Sequence, residues 1–180
     1  RAKPPLPAHK CLFGRPTVVN NVETLVNVPW ILVHGAAAYR AVGTPGSPGT
    51  RLFCVSGRVC APGLYELPFG VTLRDLLAAC GAERTRAVLL GGAAGTFLSP
   101  DEFDVPLTFE DTRKIGATLG SGVVFVLDDS VPLGSVLERI AAFFRDESCG
   151  QCIPCRVGTV RQEELVQRLA RGRPCGSVAT

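Results

Sequence analysis

The sequence predicts an α+β chain, in which a small unit of strands and one packed helix is flanked by helical segments. Three observations predict it. The middle of the chain holds short β-branched and aromatic runs separated by turn residues, RLFCVSG, LYELP, AVLLGG and VVFVLDD, as strands do. Inside that stretch LRDLLAAC switches to helical spacing. The last third carries two more helical patterns with a cysteine-dense loop, FFRDESCGQCIPCRVGT, between them.

Taken in order, residues 1–21 are extended and turn-rich, with Pro4, Pro5, Pro7, Gly14 and Pro16. Asn20 and Asn21 precede VETLVNVPWILVHG, whose apolar spacing suits a helix capped by Asn21. Pro29 makes this a kinked helix or two helices meeting near Asn27. GTPGSPGT, residues 43–50, is a Gly/Pro link and the first predicted boundary. Beyond it RLFCVSG and LYELP form a hairpin around GRVCAPG. Thr72 caps LRDLLAAC, with Asp75 at the third helical position and Gly81 ending the helix. Leu73, Leu76, Leu77 and Cys80 share one face of it and predict the core. AVLLGG and the buried strand VVFVLDD complete a small unit of the ubiquitin-like β-grasp kind, residues 51–129. GGAAG, residues 91–95, lacks both the Lys-Ser/Thr ending of a phosphate loop and the GxGxxG spacing, which speaks against a nucleotide loop.

In the last third, Leu133, Val136, Leu137, Ile140, Ala141 and Phe144 predict one broad apolar helix face, with Pro132 at its start. Thr159 and Gln162 form a capping box before VRQEELVQRLARG, closed by Gly172.

Composition narrows the function classes. The formal charge is +3 with both signs mixed and no basic run, which speaks against a nucleic-acid partner. No apolar stretch approaches the ~18 residues of a membrane span, and no signal peptide is recognisable, so the expected location is cytoplasmic. The chain opens at Arg1 and contains no Met, which suggests a piece of something longer. Eight cysteines in such a setting point to metal or redox chemistry before disulfides.

The cysteine loop is the strongest signal. Cys149, Cys152 and Cys155 have C-x₂-C-x₂-C spacing, which lets thiolates converge from a compact loop onto an iron–sulfur cluster. Gly150 and Gly158 relieve tight turns, Pro154 stiffens the loop, and Arg145 and Arg156 are placed to offset cluster charge. The alternatives are a structural zinc site or unliganded thiols. Zinc sites more often pair two CxxC units or add histidine, and His9 and His34 are remote in sequence. Cys54 and Cys80 are expected as small core residues, and Cys11 and Cys60 lack ligand spacing.

With these motifs assembled, the chain resembles the NADH-oxidising flavoprotein subunits of respiratory complex I and the related subunits of NAD-dependent formate dehydrogenases and NAD-reducing hydrogenases. The resemblance rests on LFGRPTVVNNVETLVNVP (12–29), SGRVCAPGLYELPFG (56–70), GSGVVFVLDD (120–129) and FFRDESCGQCIPCRVGT (143–159). It implies the end of an FMN-binding domain over 1–50, an SLBB β-grasp domain over 51–129, and an iron–sulfur helical bundle over 130–180. It further implies a [4Fe–4S] cluster on Cys149, Cys152 and Cys155, and FMN contacts from Val19, Asn20, Asn21 and Thr24, where the residues alone suggest only an N-cap at Asn21. NAD(H) would bind in the parent subunit, and the piece alone would be inactive. The expected partners are the other subunits of a multi-subunit redox complex, an iron–sulfur subunit among them, with the assembly peripheral to the inner membrane. The family's fourth cluster cysteine lies well beyond the third, so Cys175 does not match it, although it could substitute. VRQEELVQRLARG looks closer to the formate dehydrogenase branch. The competing readings are a standalone iron–sulfur electron-transfer or docking module without flavin, and a zinc-stabilised interaction domain.

Overall fold

A computed structural model of the chain describes residues 5–173. Asn21 has extended backbone angles and its side chain accepts the Glu23 N–H at 2.8 Å, so helix α1 (Val22–His34) begins where the sequence predicts. Of the two alternatives, two helices meeting near Asn27 is ruled out, because the helix is continuous. Pro29 sits inside a continuous helix, where its missing N–H removes a single backbone bond, and Asn27 Nδ2 donates to the Glu23 carbonyl at 2.7 Å. The helix stops at Gly35, whose φ of 86° is left-handed, and a short α2 (Ala36–Arg40) follows. No residue of α1 or α2 is buried.

The Gly/Pro link is a closed turn. Gly43 and Pro48 bridge each other, and Ser47 is buried. Ser47 Oγ donates to Glu110 Oε2 at 2.5 Å and Thr44 Oγ1 donates to Glu110 Oε1 at 2.9 Å. Glu110 belongs to α4 (Phe109–Lys114), a short helix capped by Thr108. The link is thereby fastened to the unit that follows it.

That unit is a five-stranded sheet in the order β2-β1-β5-β3-β4. The strands are β1 (Thr50–Gly57), β2 (Gly63–Pro68), β3 (Thr85–Leu90), β4 (Thr96–Leu98) and β5 (Val123–Asp128). β1 and β5 are parallel, with Cys54 opposite Val123, and the other neighbours are antiparallel. A hairpin, a helix, and a last strand inserted between the first and third make the predicted β-grasp. Helix α3 (Leu73–Ala79) carries the full Thr72/Asp75 capping box. It lays Leu73, Leu76 and Leu77 against Phe53, Val55, Val88, Leu90, Val124 and Val126, all buried. β4 and α4 escape sequence prediction because three and six residues are too few to display a period.

One core expectation is corrected. Cys80 is buried, but Cys54 is exposed. Successive residues of a strand point to opposite faces, and with Phe53 and Val55 on the α3 side, Cys54 takes the other. GGAAG forms the β3–β4 turn, with Gly91 and Gly92 at φ of 97° and 91°.

Two helices end the chain, α5 (Leu133–Asp146) and α6 (Ile153–Ala170), and they pack on each other. The predicted capping box at Thr159 is not one. Cys152 is the N-cap and Pro154 lies in the first turn, where proline favours helix initiation; Thr159 is interior and its hydroxyl donates to the Cys155 carbonyl at 2.9 Å. Gly172, at φ 63°, closes the helix as expected. The apolar face of α5 is only partly covered: Ala141 is buried, whereas Leu133 and Leu137 remain exposed. Its other apolar residues Val136, Ile140 and Phe143 share a groove of about 410 Å³ with Leu89, Val123 and Phe125 on the back of the sheet. No helix among the described residues is long and apolar enough to cross a membrane.

Leu76→Ala empties a fully buried position and is expected to cost about 2–5 kcal/mol in denaturant unfolding. Leu64→Ala, at an exposed site, should be near neutral. The Glu110 turn adds a pH signature. Its carboxyl is held below its ordinary value first by the Ser47 hydroxyl, then by a backbone N–H and Thr44. A depressed folded pKa gives stability that is complete above the unfolded carboxylate range and is lost as pH falls through the folded value. In thermal unfolding, the advantage of the parent over Glu110→Gln should therefore shrink on acidification; a pH-independent gap would sink this assignment.

Candidate functional site

α5 ends with Glu147 as its C-cap, and Cys152 caps α6, so the cysteine loop is the connection of a helical hairpin. Gly150 has φ 74°, which only glycine adopts cheaply. Its N–H reaches Ser148 Oγ at 3.3 Å, and its carbonyl accepts from Arg156 Nη1 at 3.1 Å. Ser148 Oγ lies 3.4 Å from Cys155 Sγ. Cys149, Cys152 and Cys155 are all exposed, and the last two stand at the start of α6, where free N–H groups and the helix dipole favour negative charge.

The fold thus brings the three predicted thiols to one loop and one helix start. It does not close them around a point: among the described residues, no three Cys, His, Asp or Glu side chains form a group able to hold a metal ion. The donor chemistry nevertheless fits an iron–sulfur cluster, with three accessible soft ligands, no histidine, and backbone N–H groups at hand. Cys175 lies outside the described residues. Cys80 is no competitor, because burial pushes its thiol up and the thiol donates to the Leu77 carbonyl at 3.2 Å.

The charge arrangement differs from expectation. Arg145 does not face the loop as a free cation. Its Nη1 donates to both carboxylate oxygens of Glu163, at 2.7 and 2.5 Å, and its Nε donates to Asp146 Oδ1 at 2.9 Å. Its pKa is raised, first through Asp146 and then through Glu163. Arg156 is the arginine that touches the loop. Glu163 carries no sequence signal of its own, since its partner is fixed only by how the hairpin packs.

At the other end, Asn21 is the N-cap that the residues alone suggest, with its carbonyl committed to Glu23 N–H. Asn21 and Thr24 line an open hollow of about 560 Å³ together with Asn27, Arg51 and Ser121. Val19 and Asn20 are exposed and do not line it. The Thr24 hydroxyl and the Asn20 side chain carry no hydrogen bond among the described residues, and Arg51 Nε is buried without a partner. These polar groups suit a polyol or phosphate ligand. Glu23, which sequence reasoning passed over, accepts the Leu52 N–H at 2.9 Å and so ties α1 to the start of β1.

Comparison with known proteins agrees with this layout. Residues 52–92 match the SLBB domain, and residues 135–177 match the NADH-ubiquinone oxidoreductase-F iron-sulfur binding region. The NADH-quinone oxidoreductase F 2 subunit of Rhizobium meliloti is 41% identical over 96% of this chain and 42% of its own length. The corresponding F subunit of Escherichia coli is 41% identical over 96% of the chain and 40% of its own length. The chain thus spans about two fifths of the length of the curated relatives it matches. A crystal structure of an NAD+-reducing [NiFe]-hydrogenase in the H2-reduced state superimposes with a TM-score of 0.83 at 44% identity, covering 96% of this chain and 30% of that one. Over nearly its whole length the chain is thus similar to one portion of NADH-quinone oxidoreductase F subunits, a portion that holds an SLBB domain and an iron–sulfur binding region.

Proposed function

We propose that this chain is the portion of an NADH:acceptor oxidoreductase flavoprotein subunit that relays electrons between FMN, reduced by NADH or reducing NAD⁺, and a [4Fe–4S] cluster. The observation that carries the reading is the exposed C-x₂-C-x₂-C loop between α5 and α6, inside the region matched to an iron–sulfur binding family. Cys149, Cys152 and Cys155 would supply three ligands, with the fourth from Cys175 or from a more distant cysteine. When bound, FMN converts between a hydride and single electrons, and the cluster passes them singly.

The protein's own contribution is position. Glu23 ties α1 to β1 and Glu110 fastens the link that follows α2, while Asn20, Asn21, Thr24 and Val19 would meet the flavin's phosphate and ribityl region. Of the apolar residues of α1, Val22, Leu25, Val26, Leu32 and Val33 are more than half exposed, and this supports a cover from the rest of a flavin domain. The partners would be other subunits of a redox complex, including an iron–sulfur subunit, in the cytoplasm at the periphery of the inner membrane. Three domains, 1–50, 51–129 and 130–180, follow the same reading.

The test uses the full-length subunit. Anaerobically prepared protein should contain iron and sulfide and give a reduced-cluster EPR signal, and Cys152→Ser should abolish the signal while leaving flavin content intact. One bound zinc with no such signal would establish the zinc alternative and end the cluster reading. For the flavin, Thr24→Val should weaken FMN binding about tenfold in a fluorescence titration, the worth of one hydrogen bond; an unchanged affinity would remove Thr24 from the site.

A further inference from the structure

The seam between α5 and α6 is unusual in what it buries. Only Ala141 of α5 and Glu163 of α6 fall into the buried class, so a carboxylate occupies a place where helical hairpins normally put leucine. Glu163 is 8% exposed. Both of its oxygens accept from Arg145 Nη1, and Oε1 also accepts from Gln167 Nε2 at 3.3 Å. Among the described residues this is the one ion pair that joins α5 to α6. Its location matters more than its strength. Arg145 lies in the last turn of α5, one turn before Cys149, and Glu163 lies on α6 two turns beyond Cys155.

We propose that Arg145 and Glu163 are positioning residues for the iron–sulfur site: a clasp that fixes the register of α6 against α5 and so sets where Cys152 and Cys155 stand relative to Cys149. The proposal rests on the cluster reading above. A part-buried ion pair such as this one stabilises little compared with an apolar pair of similar volume, and its use here is to specify geometry. Cys149 follows one helix and the other two thiols begin the next, so a slip of α6 along α5 moves two ligands away from the third. Arg145 acts here through Glu163, since its guanidinium is committed to two carboxylates. Arg156, bonded to the Gly150 carbonyl, serves the loop itself.

This separates two properties that a merely structural contact would move together. In the cluster-loaded full-length subunit, Glu163→Gln and the double variant Arg145→Met with Glu163→Leu should each release iron to a ferrous chelator roughly tenfold faster and broaden the reduced-cluster EPR signal. The double variant should do so with an unfolding midpoint no lower than that of the parent, because apolar replacement keeps the seam packed. Arg145→Lys, which preserves the charge without the fork, should fall between. Parent-like iron release and line shape in the double variant would overturn the clasp, as would iron loss accompanied by an equal loss of stability. Absence of a cluster signal in the parent protein would instead overturn the cluster reading on which the clasp depends.

Discussion

The parallel pairing of β1 with β5 governs the rest of the molecule. These two strands are far apart in sequence and lie side by side in the sheet. A parallel pair needs a crossover, and the crossover here contains α3, which supplies the core. Each strand also carries one flanking region. The start of β1 receives the Glu23 carboxylate at Leu52 N–H, where β5 has not yet begun to pair. The end of β5 leads through Asp128, Asp129 and Ser130 into α5. α5 then shares a groove with Val123, Phe125 and Leu89 on the back of the sheet, so the helix that presents Cys149 is referenced to the same strand. Strand-borne elements hold a site more firmly than free loops do, and both candidate sites are hung from this pair.

Packing is uneven in a way that matches this division. The sheet and α3 enclose Phe53, Leu73, Leu76, Leu90, Leu107 and Leu119 with essentially no exposure. At roughly 1.5–3 kcal/mol per fully buried large side chain, this cluster is the main apolar contribution to the central unit. α1 buries nothing, although its sequence is apolar around much of its circumference. Such a helix is normally a core helix. Here local anchors restrain it instead: Glu23 on β1 and, through the following α2, Tyr39 packed over Gly49, where an added Cβ would come within 2.3 Å of the ring. A helix held in this way, with its apolar surface free, is suited to join a larger body.

Some of this was legible in the sequence and the rest was hidden, for physical reasons. α3 could be read completely, because its cap, its acidic third position, its four-residue face and its terminal glycine all agree. The sheet could be read from β-branched runs, and three thiols from spacing. Local rules misled where two signals competed. Thr159 has the form of a cap, but Pro154, earlier in the chain, starts the helix first. Pro29 allowed either a kink or two helices, and the single continuous helix excludes the second. Cys54 sits in an apolar strand, yet parity sets its face. The interactions that position the sites, Glu23 with Leu52, Glu110 with Ser47, and Arg145 with Glu163, were not readable at all, since each joins residues whose proximity exists only after the chain has folded.

The same contrast explains the state of the cysteine loop. Its hydrogen bonds include those of Gly150, Ser148 and Arg156, and its three thiols are exposed. Among the described residues the three thiols do not form a group able to hold a metal ion, and three thiolates brought close without a metal would repel one another. Convergence must therefore come from the bound group, while the protein fixes the anchors at either side. Metal binding and the ordering of such a loop are then one event. With a cluster bound as proposed, the hairpin seam would set the geometry, the start of α6 would offer N–H groups to the anionic site, and the exposed loop would leave room for a further ligand.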